Sequence, residues 1–215
     1  MAPQTLDTTK QVFKTYDDLI ELLYILDKRI EQRYPGSDIT IKIEAVGGFA
    51  LLYHGLRIED PASRDIDLYN ELSSWVWKLA YDIDPTNWLN DGPNILVDQL
   101  SPSVKESMVF QKDTRYQFPY DHLQLWIATL ESVLGMKLDA LRRQAEDGKN
   151  LLNIKRTQDP SDVKEILGLF NIHTTERLFD EYPGLKVFDA RLYSPPEYIK
   201  TSGAVNIFEL FELFD

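Results

Sequence analysis

Apolar positions along the chain fall into a few clear periods. Val12, Tyr16, Leu19, Leu23, Leu26 and Ile30 are spaced 4, 3, 4, 3 and 4 residues apart, which puts them on one face of a helix. Pro35 and Gly36 end that helix. Ile39 to Val46 is β-branched and alternating, so it predicts a strand. Gly47-Gly48 interrupts it, and Phe49 to His54 reads as a short helix closed by Gly55. Beyond a polar loop with Pro61, Asp65-Ile-Asp-Leu-Tyr69 alternates again and predicts a second strand. Leu72 to Tyr81 reads as helix, and Asp84 to Pro93 as a turn-rich stretch with a short helix capped by Thr86 or Asn87. Met108 to Gln111 and Leu123 to Thr129 predict further strands. Glu131 to Glu146 carries Leu134, Leu138, Leu141 and Ala145 at helical spacing. Pro160-Ser161 starts a helix from Asp162 to Phe170, and the tail from Thr174 mixes short helices and turns.

Strands interleaved with helices predict an α/β (α+β) fold, a small mixed sheet flanked by helices. The 215 residues divide into an N-terminal helix (1–36), a sheet core (37–130) and a helical region (131–215) of one domain. A 43% hydrophobic, 12% aromatic composition supplies a core and argues against disorder. There is no cysteine, which excludes disulfides and thiolate metal sites. No apolar run reaches the ~20 residues of a membrane span, and Met1 to Lys10 lacks the basic-then-apolar order of a signal peptide. A cytoplasmic protein with no membrane partner is expected. The net charge of −12 argues against a broad surface for tracking phosphates. The stretch from Met136 to Lys164 runs against that trend, with seven basic and five acidic residues.

Two groups of residues carry candidate chemistry. The first is Val46-Gly47-Gly48, a spacer of 16 residues, then Asp65-Ile66-Asp67-Leu68. A strand running into two glycines lets backbone N–H groups approach a phosphate with no Cβ in the way. Asp65 and Asp67, two apart on a strand, project from one face while Ile66 and Leu68 take the other. Two such carboxylates suit a hard divalent cation that bridges triphosphate oxygens. Either part alone is more simply an acidic strand edge or a glycine turn.

In combination, Ala45-Val-Gly-Gly-Phe-Ala-Leu51, Arg57 and Ser63-Arg-Asp-Ile-Asp-Leu-Tyr69 resemble the nucleotidyltransferase superfamily that includes DNA polymerase beta. They look most like its branch around the AbiEii toxins and uncharacterised bacterial nucleotidyltransferases. A second stretch follows the same branch. Lys137, Ala140 and Arg143 match its Lys-x-x-Ala-x-x-Arg helix, and Asp159 and Asp162 match its Asp-x-x-Asp-Leu, with Val163 for Leu. Lys137 lies about 70° from the centre of the Leu134/Leu138/Leu141 stripe, so it can reach inward, or can cover apolar surface with its stem. Asp162 suits a helix start equally well.

The resemblance implies that Asp65 and Asp67 hold Mg2+ or Mn2+, with Lys137 as a further catalytic residue on the β/γ-phosphates. It implies that Gly47, Gly48, Arg64, Arg143, Asp159 and Asp162 bind the nucleotide. The implied reaction transfers a nucleotidyl group from an NTP to an RNA such as tRNA, or to a protein. The implied partner is a cognate antitoxin or a second copy. The alternative is a protein of this fold that binds nucleotide or partner without catalysis. A third carboxylate, acting as base, separates the two readings. Asp121 and Asp98 are the candidates, whereas Gln124 in that place would mean a lost base. Trp88-Leu-Asn-Asp91 reads as a capped turn with a buried tryptophan. His54, His122 and His173 have no metal-ligand spacing. No Walker A, dinucleotide or Gly-x-Ser-x-Gly motif is present. The apolar segment 207–214 reads as a helix packing on the core, with partner binding as its alternative.

Overall fold

The computed structural model describes residues 14–57, 62–63, 65–90, 100, 102–146 and 158–183; it leaves out the side chains of 62–63, 103, 141–146, 158 and 160. Val12, Arg64, Asp91, Asp98 and the segment 207–214 therefore lie outside the described residues, as do the side chains of Leu141, Arg143 and Ala145.

The first two elements are β1 (Lys14–Thr15) and α1 (Tyr16–Arg33). Thr15 starts α1 through a capping box. Its hydroxyl accepts the Asp18 N–H at 3.2 Å, and the Asp18 carboxylate accepts the Thr15 N–H at 2.8 Å. The periodic Leu19, Leu23, Leu26 and Ile30 are buried, and the chain leaves the helix through Gly36, where φ is +67°.

Six further strands and two helices complete the central layer: β2 (Ile41–Val46), α2 (Gly47–Tyr53), β3 (Ala62–Ser63), β4 (Ile66–Leu68), α3 (Ser74–Ile83), β5 (Leu89–Asn90), β6 (Phe110–Lys112) and β7 (Leu123–Ala128). Between β5 and β6 comes α4 (Pro102–Ser107), and after β7 come α5 (Leu130–Glu146), α6 (Gln158–Leu169) and α7 (Thr175–Glu181). The main sheet has the order β5-β4-β2-β7-β6, and β1 pairs antiparallel with β3 in a separate ribbon. Within the main sheet, β2 runs parallel to β7 and β4 parallel to β5, while the β2–β4 and β6–β7 pairs are antiparallel. The fold is mixed α+β, as expected.

Register decides which face is buried. Ala45 stands between Leu68 and Ile127, Ile43 opposite Leu125, and Ile66 opposite Leu89. All of these are buried in one core with the apolar face of α1. Alternation sends the remaining strand residues to the other face. Lys42 there stands opposite Gln124, Glu44 opposite Trp126, Val46 opposite Asp67, and Asp67 opposite Asn90. The Lys42 ammonium lies 4.4 Å from the Trp126 ring centroid, in keeping with that shared face. Among the helices, α3 packs against α1, and α5 packs against α2, α4 and α6.

The structure departs from the sequence expectation in short elements. The turn-rich stretch after Asp84 contains strand β5 and, among the described residues, no helix. The Ile66 N–H donates to the Trp88 carbonyl at 2.7 Å, which carries the chain into line with β4. Trp88 is buried, as expected, and its indole N–H donates to the Ala80 carbonyl at 3.0 Å. Helix α6 starts at Gln158, four residues ahead of the expected Asp162. Among the described residues, no helix is long and apolar enough to cross a membrane.

Candidate functional site: two acidic clusters at either end of one short helix

The first cluster begins where β2 becomes α2. Gly47 has φ +63°, a backbone conformation that L side chains rarely adopt. A Cβ built on it would lie 2.3 Å from Asp67 Oδ2, 3.2 Å from its Cγ and 3.3 Å from its Cβ. The antiparallel pairing of Val46 with Asp67 forces this approach. Gly47 is thus required twice, by its φ and by the carboxylate seated on it. Gly48 follows, buried in the first turn of α2.

Asp65 and Asp67 are joined by a residue the sequence reading assigned to a turn. One nitrogen, Asn90 Nδ2, donates to Asp65 Oδ2 at 2.9 Å and to Asp67 Oδ1 at 3.2 Å. The parallel register Asp67↔Asn90 places all three side chains together on the polar face of the sheet. The donor set is two carboxylates and one amide, all hard oxygen chemistry apart from the amide NH2. It fits a divalent cation of the Mg2+ or Mn2+ type, which takes one or two carboxylates and fills its remaining positions with water or phosphate. Among the described residues, no group of three His, Cys, Asp or Glu side chains converges to hold a metal.

Of the two candidates for the third carboxylate, Asp98 lies outside the described residues and Asp121 is remote from the aspartate pair. Asp121 lies in a turn before β7, at φ +58°. Its end of β7 pairs with Ile41, at the far end of β2 from Val46 and Asp67. Gln124 is also remote: the register makes Ala128 the neighbour of Val46, so Gln124 lies four rows away, about 13 Å at 3.3 Å per residue. Among the described residues, Asn90 lies beside both aspartates.

The second cluster is built from α5, α6 and the segment after α2. Lys137 Nζ lies 2.5 Å from Asp159 Oδ1 and 2.8 Å from Asp162 Oδ2. Asp162 also takes a two-pronged contact from Arg57, with Nε at 2.9 Å and Nη2 at 2.8 Å. The Arg57 backbone N–H donates to both oxygens of Glu165, at 3.0 and 3.1 Å. Asp159 and Asp162 are buried. Burial works against the Lys137 charge, but the Asp159 and Asp162 carboxylates outweigh it and hold its pKa above the ordinary lysine value. Lys137 is therefore a charged, half-buried ion-pair partner rather than a lysine stem laid over apolar surface. Sequence order had brought Lys137, Asp159 and Asp162 together, and the structure does the same. Arg57 was given no role from sequence; it is 105 residues from Asp162, and no local pattern signals the link.

The clusters stand at opposite ends of the α2 segment. Asp67 touches its first residue, Gly47, and the backbone of Arg57 follows its last residue, Tyr53, by four positions. A seven-residue helix spans about 10 Å. Near the first cluster, the β1–β3 pairing sets Lys14 opposite Ser63. The Lys14 ammonium is buried and donates to Thr86 Oγ1 at 2.6 Å, with Asp84 Oδ2 at 3.2 Å. The histidines take separate positions. His54 caps α2 and its Nε2 lies 2.9 Å from the Ala128 carbonyl. His173 Nε2 lies 3.0 Å from Asn171 Oδ1. His122 is buried between Ile39 and Glu31.

In comparisons with known proteins, no family model, curated protein or solved structure matches the chain. The fold and these two clusters are what a functional reading rests on.

Proposed function

We propose that the chain binds a nucleoside triphosphate with a divalent cation at Asp65 and Asp67 and transfers its nucleotidyl group to an acceptor hydroxyl. The observation that carries this reading is the seating of Asp67 on Gly47 beside Asp65, with one amide joining the two carboxylates. Two like charges on one strand face are a local cost, and a cation that both carboxylates hold gives that cost a use. When bound, the cation neutralises charge on the phosphate oxygens and aligns the α-phosphate. The chain's own part is to fix both carboxylates, through Gly47 and Asn90, and to keep the side chain of residue 47 out of their space. The acceptor hydroxyl oxygen bonds to the α-phosphorus and gives up its proton to solvent, the bond from the α-phosphorus to the α–β bridging oxygen breaks, and pyrophosphate leaves. The acceptor is an RNA or protein hydroxyl, by the resemblance given above.

A second reading is favoured by one specific observation. Among the described residues, the one beside both aspartates is Asn90, and an amide cannot take the proton of an acceptor hydroxyl. In that reading the protein binds nucleotide and cation without transfer. Incubation with each α-labelled NTP, Mg2+ and total RNA or protein decides. Label moving to a macromolecule, and lost in Asp65→Asn/Asp67→Asn, supports transfer. Metal-dependent NTP binding without label transfer supports the binding module.

A further inference from the structure

We propose that His122 is a proton-controlled latch on the chain between α1 and β2. Doubly protonated, its ring ties that segment to α1 and β7; singly protonated, it releases the Ile39 carbonyl. Three parts of the fold meet at this ring. Nε2 lies 2.8 Å from Glu31 Oε2 on α1, and Nδ1 lies 2.9 Å from the carbonyl of Ile39, just ahead of β2. His122 itself stands one position before β7, and its carbonyl accepts the Ile41 N–H at 2.7 Å. With 2% of its surface exposed, His122 takes these partners in place of water. Asp27, fully buried on α1, fixes the backbone of this turn by accepting the His122 and Tyr120 N–H groups, each at 2.9 Å. The Tyr120 ring stacks on the imidazole, with centroids 6.5 Å apart. The groups facing the ring are thus Glu31 and Asp27 from α1, the Ile39 carbonyl from the approach to β2, and Tyr120 from its own turn.

The two bonds of the ring are not equivalent. A carbonyl and a carboxylate both accept, so only a ring with two N–H groups satisfies both. When that ring loses one proton to solvent, one partner loses its donor. A bond to a carboxylate is charge-assisted, so Glu31 is the stronger acceptor. The remaining proton stays on Nε2, and the Ile39 bond is the one that breaks. Burial disfavours the charged ring, but the Ile39, Glu31 and Asp27 groups outweigh it, so release falls above the ordinary histidine range. The freed carbonyl belongs to residues 37–40, which form neither helix nor strand and can turn it to water. The opening is local. Glu31 still holds the Gly36 N–H through Oε1, at 3.1 Å, and β2 beyond Ile41 keeps its pairing with β7. What loosens is the entry to β2 at Ile41.

The test is NMR on the full chain from about pH 5 to about pH 9. Imidazole 1H–15N spectra read which ring nitrogens carry protons. Amide hydrogen exchange, corrected for its own pH dependence, reads the opening. Expected are two ring N–H groups at the acid end and an Nε2–H tautomer at the alkaline end. The Ile41 protection factor falls about ten-fold with the same midpoint, as for the loss of one hydrogen bond. The Glu44 amide, which donates to Asn70 Oδ1 at 2.8 Å, is the unmoved control. His122→Gln cannot titrate and loses the pH step at Ile41, and Glu31→Gln brings the midpoint down towards the ordinary histidine value. Should either variant fail to fold, the wild-type spectra and exchange decide alone. A singly protonated ring at the acid end, an Nδ1–H tautomer at the alkaline end, or a ring that titrates while Ile41 protection holds overturns the latch. So does a pH step at Ile41 that persists in folded His122→Gln.

Discussion

The two acidic clusters use the same residue type to opposite ends. At Asp159 and Asp162 the carboxylates are buried against Lys137 and Arg57, two cations in close contact. At Asp65 and Asp67 the joining group is a neutral amide, and the strand holds two carboxylates on one face. The first arrangement resembles a fastener: it ties α5 and α6 to the chain after α2, and each charge has a partner of opposite sign. In the second, one amide nitrogen spans both carboxylates, and the proposed function brings a cation to them. On the proposed reading, acidic residues at matching motif positions divide into an ion-paired cluster and a cation-binding one.

The largest effect that tests this contrast is at Asp162. Asp162→Ala removes the buried carboxylate that Lys137 and Arg57 share, leaving Lys137 with Asp159, and removing one partner of a buried pair costs about 3–5 kcal/mol. Urea unfolding monitored by circular dichroism measures it. A loss well below 1 kcal/mol would place the second cluster among weak surface pairs and remove its role as a fastener. Lys137→Met should destabilise in the same direction, because methionine keeps the stem but not the charge between Asp159 and Asp162.

Gly47→Ala comes next. Strain at φ +63° costs about 1–3 kcal/mol, and its Cβ would displace the Asp67 carboxylate. The variant should fold with a lower melting temperature and lose most of its response to Mn2+. Wild-type Mn2+ affinity in Gly47→Ala would show that the seat of Asp67 does not matter to the site.

His122 offers the same contrast under control of pH. Its Nδ1 lies 2.9 Å from the Ile39 carbonyl and its Nε2 2.8 Å from Glu31 Oε2. Both partners only accept, so the ring must donate from both nitrogens and is an imidazolium. Asp27, buried on α1, accepts the His122 and Tyr120 N–H groups, each at 2.9 Å. Burial lowers the histidine pKa, but the Ile39, Glu31 and Asp27 groups outweigh it, so the folded value is raised. This contribution to stability is complete below the ordinary value of about 6.5 and is lost as pH rises through the raised value, at up to about 1.4 kcal/mol per pH unit. Urea midpoints from pH 5 to 9, compared between the wild type and His122→Gln, read it. A wild-type profile as flat as that of the variant would mean the ring is neutral.

Long periodic elements were legible in sequence, and short ones were not. The stripe through Leu19, Leu23, Leu26 and Ile30 named the buried face of α1, and the alternation ending at Val46 named β2 to within two residues. Strands β1, β3 and β5 have two residues each, too few for any alternation to show, and they exist through pairing with distant segments. Helix α4 was not expected at all. The candidate site divides in the same way. Gly47 and Asp67 were readable because each belongs to a local pattern, although their mutual contact was not. Asn90 was hidden, since Trp88-Leu-Asn lies in a stretch whose Asp, Pro and Gly residues signal turns. The Arg57–Asp162 contact depends on tertiary packing alone.

The central claim is that Asp65 and Asp67 hold a cation for a nucleotide. Calorimetric titration of each NTP into the protein, with Mg2+ and then with EDTA, tests it most directly. The account predicts NTP binding with Mg2+, none resolved with EDTA, and none with Mg2+ in a folded Asp65→Asn/Asp67→Asn variant. Equal affinity with and without Mg2+, or an undiminished affinity in that variant, would contradict it.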